Sequence, residues 1–433
     1  MSEHRRVEIA PSVGFRDGST AVSQSALVSF IFWAGQPFLA FQLWRQRSQR
    51  GFQGVLNGCG FWAPGIEGNI LEKLRICAMP RFLQFLESLM PINKDPNVLV
   101  TDMHFGTIPV RLLKPKKASS QPRRGIIFYH GGGALTGSLG EELAFEGRGK
   151  VFIKDRYQSL CSLLASETDS VVLMVGYRKL PGYHHPVLTN DCQNASIYFL
   201  KNLESFGVDP SRVVLCGDSV GAWVMAAVIQ ALTSFPSLPQ VTAQVLIYPI
   251  LNLINFQLPS HQQNKNVPFL TRDFMFMCIC KYLVIDPSWK DAMLTGAAIP
   301  LDKWKKYRKW LSYDNIPRRF WSQDPQPEIL GPFNEAAYLE TKHTWSAKIS
   351  PLLSDDKTIA QLPKTFLVSC EHDMVRDDAL LYKKRLEDQG VPVSWYHVED
   401  GFHGCLLLFD KKCFSFPCCM KLINAVISYI KGI

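Results

Sequence analysis

Three residues far apart in the chain, Ser219, Asp373 and His403, are of types that could together perform nucleophilic acyl chemistry. Ser219 stands in Gly217-Asp218-Ser219-Val220-Gly221, a G-x-S-x-G pattern. A serine hydroxyl is a weak nucleophile; it needs a base to take its proton and an acid to orient that base. The order serine, acid, histidine is one of the orders in which such sites are encoded. Upstream lies His130-Gly131-Gly132-Gly133. Glycines there let the backbone approach a ligand with its N–H groups facing it. The N–H groups of Gly131, Gly132 and Val220 are expected to bind a developing oxyanion, each donor being worth about 3 kcal/mol in the transition state. A phosphate cradle is the rival reading of the glycine loop, but the Lys-Ser/Thr of a P-loop is missing. Glu371, Asp377 and Asp378 compete with Asp373 as the acid, and His372 and His397 compete with His403 as the base. The chemistry calls for no metal and no organic cofactor.

The elements that must hold these residues are legible from periodicity. Val213–Cys216 is a short apolar strand running into the serine turn, and Ala222–Leu232 is helix-forming. A strand, a tight turn and a helix push the serine out above the sheet, and the turn leaves no room for bulk at Gly217 and Gly221. Gly125–Tyr129, Ser170–Gly176, Ala243–Tyr248, Thr365–Ser369 and Val393–His397 read as further strands. Val98–His104 and Thr107–Leu113 read as a hairpin, and Asp191–Phe206, Ala379–Gln389 and Leu422–Ile430 as helices. Strands alternating with helices predict an α/β fold: a mostly parallel sheet with helices on both faces. Ligands meet such sheets at the C-terminal ends of the strands, which is where Asp373 and His403 fall. Residues 251–350 break the rhythm with helices, prolines and tryptophans, and are expected to form a helical cap. In it Trp304, Tyr307 and Leu311 share one helical face, with lysines and an arginine elsewhere.

Bulk composition fits this picture. The chain has 433 residues, 47% of them apolar, and a net charge of +9 scattered among acids. No nucleic-acid-binding signature accompanies its basic clusters. The 12 cysteines are neither spaced for zinc nor arranged as a disulfide framework. Ala26–Trp44 runs without a charge and is long enough to span a bilayer; a signal peptide or a buried helix is the alternative. Residues 61–95 mix apolar and basic residues at helical spacing, which predicts one or two amphipathic helices.

HGGG at His130–Gly133, GDSVGA at Gly217–Ala222, CEHDMVRDD at Cys370–Asp378 and GFHG at Gly401–Gly404 resemble the hormone-sensitive-lipase group of α/β hydrolases. Within that group, Asn69–Ile433 is similar to the arylacetamide deacetylase-like proteins, most closely their like-4 branch. ILEKLRICAMP, FGTIPVRL, YRKLP, GPFNEAAYLE and RLEDQG carry the likeness. The resemblance implies a membrane-anchored, single-pass hydrolase of lipophilic carboxylic esters or arylamides, with its catalytic domain in the endoplasmic-reticulum lumen. It also implies that residues 61–95 join residues 251–350 in capping the site of an α/β-hydrolase domain spanning residues 96–433.

Two stretches depart from the family. Residues 1–60 lack an apolar anchor at the very start, and the arginines after Trp44 oppose a lumenal catalytic domain by the positive-inside rule. Glu141–Asp155 is a charged stretch that reads as an insertion just after the glycine loop. Asn194-Ala195-Ser196 is a glycosylation sequon in an expected helix.

Overall fold

The computed structural model describes residues 94–137, 139, 142–145, 149–152, 156–267, 269–321, 331–410 and 416–433. The apolar stretch 26–44, the expected helices over residues 61–93 and part of Glu141–Asp155 lie outside them. In chain order the elements are β1 (Val98–Phe105), β2 (Ile108–Pro115), β3 (Arg123–Tyr129), β4 (Glu142–Phe145), β5 (Gly149–Phe152), α1 (Gln158–Thr168), β6 (Ser170–Val175), α2 (Val187–Lys201), β7 (Val208–Asp218), α3 (Val220–Leu232) and β8 (Ala243–Ile247). Then come the longer cap helices α4 (Arg272–Leu283), α5 (Leu301–Leu311) and α6 (Glu335–Thr341), followed by β9 (Lys364–His372), α7 (Arg376–Glu387), β10 (Val393–Phe402) and α8 (Pro417–Lys431).

Eight strands form one sheet in the order β1-β2-β6-β3-β7-β8-β9-β10. β1 and β2 pair antiparallel, β2 meets β6 antiparallel, and every later pairing is parallel. Parallel strands covered on both faces must be apolar on both, and β3, β6 and β8 are buried throughout. Alternate side chains then serve opposite layers. Ile127 and Leu215 pack with α2, α3 and α7, whereas Ile126, Phe128, Val214 and Cys216 pack with α1 and α8. The sheet is an α/β-hydrolase sheet.

The chain leaves β3 for β6 on one side and returns to β7 on the other. β3 and β7 are therefore neighbours whose following segments diverge, which opens a crevice at their C-terminal ends. The register Tyr129↔Gly217 brings the glycine loop beside the serine turn.

Several boundaries differ from those read in the sequence. α2 begins at Val187, directly after Pro186, and ends at Lys201 because Asn202 leaves the helical region (φ −124°, ψ 23°). Leu203–Phe206 is a separate turn closed by Gly207 in the left-handed region. β9 and β10 run to His372 and Phe402, because His372 still pairs with Phe402 beyond the apolar runs. β4 and β5 make a separate antiparallel hairpin within the charged stretch after the glycine loop. On α2 Asn194 is exposed, but Ser196 is buried and its hydroxyl donates to the Cys192 carbonyl (2.7 Å) and meets the Tyr129 hydroxyl.

Among the described residues no strand lies between β8 and β9. The segment is helical, and in α5 Trp304 and Leu311 are buried while Lys305, Lys306, Arg308 and Lys309 face solvent. The nine described cysteines are all free and buried.

Candidate active site

Ser219 follows β7 directly with φ 54° and ψ −122°, a conformation costing a non-glycine residue about 1–3 kcal/mol. Its surroundings over-determine it. The Ser219 N–H donates to the Ile247 carbonyl of β8 (3.0 Å), and the Trp223 N–H donates to the Ser219 carbonyl (3.0 Å). A Cβ on Gly221 would stand 2.1 Å from the Tyr129 carbonyl oxygen, and one on Gly217 would stand 2.7 Å from the Gly221 backbone. Both positions thus exclude any side chain, and the serine is held at the crevice between β3 and β7.

The sheet brings the three sequence-selected residues together. Ser219 Oγ lies 2.8 Å from His403 Nε2, and His403 Nδ1 lies 2.9 Å from Asp373 Oδ2. Asp373 stands one residue beyond β9 and His403 one beyond β10, so adjacent parallel strands deliver the carboxylate and the imidazole to the same end of the sheet. The Val375 N–H donates to Asp373 Oδ1 at 2.9 Å, which fixes the other carboxylate oxygen. All three side chains are buried, and the Tyr248 ring packs 4.8 Å from that of His403.

The competing residues are occupied elsewhere. Glu371 lies in β9, where it accepts from Arg376 Nη1 and pairs with His397 Nε2, both at 2.9 Å; the His397 bond leads the effects that hold its carboxyl below the usual range. His397 also meets Ser369 Oγ at 2.9 Å. Asp377 and Asp378 open α7, and their carboxylates accept cap backbone N–H groups. His372 ends β9, and burial lowers its pKa.

The glycine loop requires one correction. The Gly131 N–H, expected to face an oxyanion, is donated to Asp218 Oδ1 at 2.8 Å. Asp218 belongs to the serine turn, and its other oxygen accepts from the hydroxyls of Tyr157 (3.1 Å) and Tyr248 (3.3 Å). Gly131 therefore pins the loop to the turn. The next two glycines sit at φ 106° and 65°, and among the described residues no acceptor meets the N–H of Gly132 or Gly133. The N–H of Val220 is in the first turn of α3, where an intrahelical acceptor is lacking. Three N–H donors thus remain available for a ligand.

His130 braces the loop from behind. Its Nδ1 lies 2.8 Å from the Gly131 carbonyl and 2.9 Å from the Tyr177 hydroxyl, and its ring stacks on Tyr177. Complete burial lowers its pKa to about 3, so the ring is neutral. Burial likewise raises Asp218 to about 6 against the pull of its three donors.

The cap reaches the site at two points. Cys278 on α4 packs against Gly133, its Sγ 3.0 Å from where a glycine Cβ would stand. Phe269 lies over Gly404 and stacks on Phe402, beside His403. Local periodicity carries no signal for these contacts or for Tyr157 and Tyr248, which arise from long-range packing.

The alpha/beta hydrolase fold family matches residues 126–302 and 328–407. Human arylacetamide deacetylase-like 4 is 60% identical over 366 residues, covering 84% of this chain and 86% of the relative. Mouse arylacetamide deacetylase-like 3 is 49% identical over 364 residues, with 84% and 86% covered. Bovine arylacetamide deacetylase is 36% identical over 329 residues, with 74% and 78% covered. Among solved structures, carboxyl esterase 2 from Tuber melanosporum superposes with a TM-score of 0.58 at 20% identity, covering 79% of this chain and 89% of that one. A bacterial heroin esterase gives 0.58 at 20%, with 82% and 90% covered. The structural likenesses speak to the fold, and the sequence relatives narrow it: the chain belongs to the arylacetamide deacetylase-like family of hormone-sensitive-lipase-like α/β hydrolases.

Proposed function

We propose that the chain is a serine hydrolase of lipophilic carboxylic esters or arylamides. The observation that carries this reading is the unbroken chain from Ser219 Oγ through His403 to Asp373, at 2.8 and 2.9 Å. Ser219 attacks the acyl carbonyl carbon while His403 Nε2 takes its proton. Asp373 keeps the imidazole in the tautomer that leaves Nε2 free and stabilises the imidazolium. The carbonyl oxygen, now an oxyanion, is bound by the N–H groups of Gly132 and Val220, with Gly133 beside them. His403 returns the proton to the departing alcohol or amine. Water, deprotonated by the same imidazole, then attacks the acyl-serine; the acyl–Oγ bond breaks, His403 returns the proton to Ser219 Oγ, and the carboxylic acid leaves.

Apolar cap surface beside the site, with Phe269 against Phe402 and Gly404, supports a lipophilic substrate. The name of the bovine relative supports arylamides alongside esters. We also propose that the uncharged stretch 26–44 anchors the chain in a membrane such as the endoplasmic reticulum. No helix among the described residues is long and apolar enough to cross one.

The test is labelling of the full-length protein by a fluorophosphonate, beside Ser219→Ala and His403→Ala. Labelling of the wild type that both substitutions abolish is the expected result. A folded wild type that does not label would refute the reading and leave an interaction protein on a hydrolase scaffold.

A further inference from the structure

The loop that carries Asp373 takes its longer-range backbone partners from the cap. Asn264 Nδ2 donates to the carbonyls of both Glu371 and Asp373, each at 3.0 Å. Ser260 Oγ donates to the carbonyl of Met374 at 2.7 Å. Both residues are buried and belong to the stretch just after β8, more than a hundred positions upstream of the acid. The attachment runs in the other direction as well. The Ser260 N–H donates to Asp377 Oδ2 at 2.6 Å, and the N–H groups of Leu251 and Asn252 donate to Asp378 Oδ2 at 2.8 and 3.0 Å. Arg376, buried between the two parts, donates to Asp377 and Glu371 on the core side and to Gln263 Oε1 and the Phe320 carbonyl on the cap side.

A buried carbonyl stripped of its donor turns elsewhere, and the backbone turns with it. If the cap end left its seat, the carbonyls of Glu371 and Met374 would lose these donors, and that of Asp373 would keep only the Arg376 N–H at 3.2 Å. Asp373 would then move relative to His403 Nδ1, and orientation at that bond decides whether the imidazole works as a base.

From this we infer that Asn264 and Ser260 are positioning residues for the catalytic acid, so that the seating of the cap sets the alignment of the triad. This rests on the serine-hydrolase reading above. The cap end at 251–264 is then a fixed attachment, and any opening for substrate belongs to other parts of the cap.

The test is the second-order rate constant for fluorophosphonate labelling of the full-length wild type, Asn264→Ala and Ser260→Ala, followed across pH together with the labelling end point. Asp218 and Tyr248, titratable groups that also face His403, are untouched in these variants. Each variant is expected to reach the wild-type end point about tenfold more slowly. Its acidic limb should lie at lower pH, because a misaligned carboxylate stabilises the imidazolium less. Unchanged rate constants and limbs at full end point would overturn the inference. So would a lower end point with an unchanged rate constant, which marks a purely structural role. Should Asn264→Ala fail to fold, Ser260→Ala decides alone. A wild type that does not label refutes the hydrolase reading, and this one with it.

Discussion

Replacing Asp218 by Asn should make the protein more stable at alkaline pH while slowing its chemistry. The carboxylate is 1% exposed, and burial raises its pKa from 3.8 to about 6. The sign follows from linkage. A folded-state pKa above the unfolded one gives stability that is complete below the unfolded value and lost as pH rises through the folded one. Above about pH 6 the native state therefore holds a charge it disfavours, at a cost of about 3 kcal/mol. Asn keeps the geometry. Its amide oxygen can accept the Gly131 N–H, and its NH₂ can donate to the Tyr157 and Tyr248 oxygens, whose own protons then point elsewhere. Urea unfolding at about pH 8 should show the variant more stable by up to about 3 kcal/mol, with the gap shrinking towards about pH 4. Labelling by a fluorophosphonate should slow by a few-fold, since a negative charge that faces His403 is gone. A variant destabilised equally at both pH values would refute the reasoning: the hydrogen bonds, not the buried charge, would then dominate.

Other perturbations test the turn and the triad. Ser219→Gly removes the backbone strain at φ 54° and should raise stability by about 1–3 kcal/mol in thermal unfolding while abolishing labelling. Gly221→Ala drives a Cβ to 2.1 Å from the Tyr129 oxygen and should destabilise by about 3 kcal/mol or more, seen as a lowered Tm or insoluble protein. Asp373→Asn should leave the melting curve near that of the wild type yet slow labelling by about 10⁴-fold, because the imidazole is then held in the wrong tautomer. Removing residues 26–44 should release the protein from membranes on carbonate extraction, and retention would send the anchor elsewhere.

Ser219, Asp373 and His403 are legible as candidates because each follows closely on an apolar run that is local information. What pairs with what was less so. The partner of the Gly131 N–H is not legible, because Asp218 lies 87 positions away and nothing near Gly131 announces it. The strand ends beyond Ser369 and His397 are not legible, since the polar residues that follow break the pattern while the neighbouring strands continue to pair. The fork in the cap contacts at Asn264 had no signature at all. A buried asparagine donating to two carbonyls looks, in sequence, like any other polar residue.

The serine turn and the glycine loop are joined through the ladder between β3 and β7, whereas the loop after β9 that carries Asp373 is also held by carbonyl bonds from the cap. Under evolutionary drift Ser219 and Asp373 therefore answer to different pressures. Substitutions that reshape the substrate-facing cap leave the serine turn alone but press on the acid through Ser260 and Asn264. A cap transplanted from a relative would bring along its own setting of Asp373, so exchanging caps would also change how Asp373 meets His403.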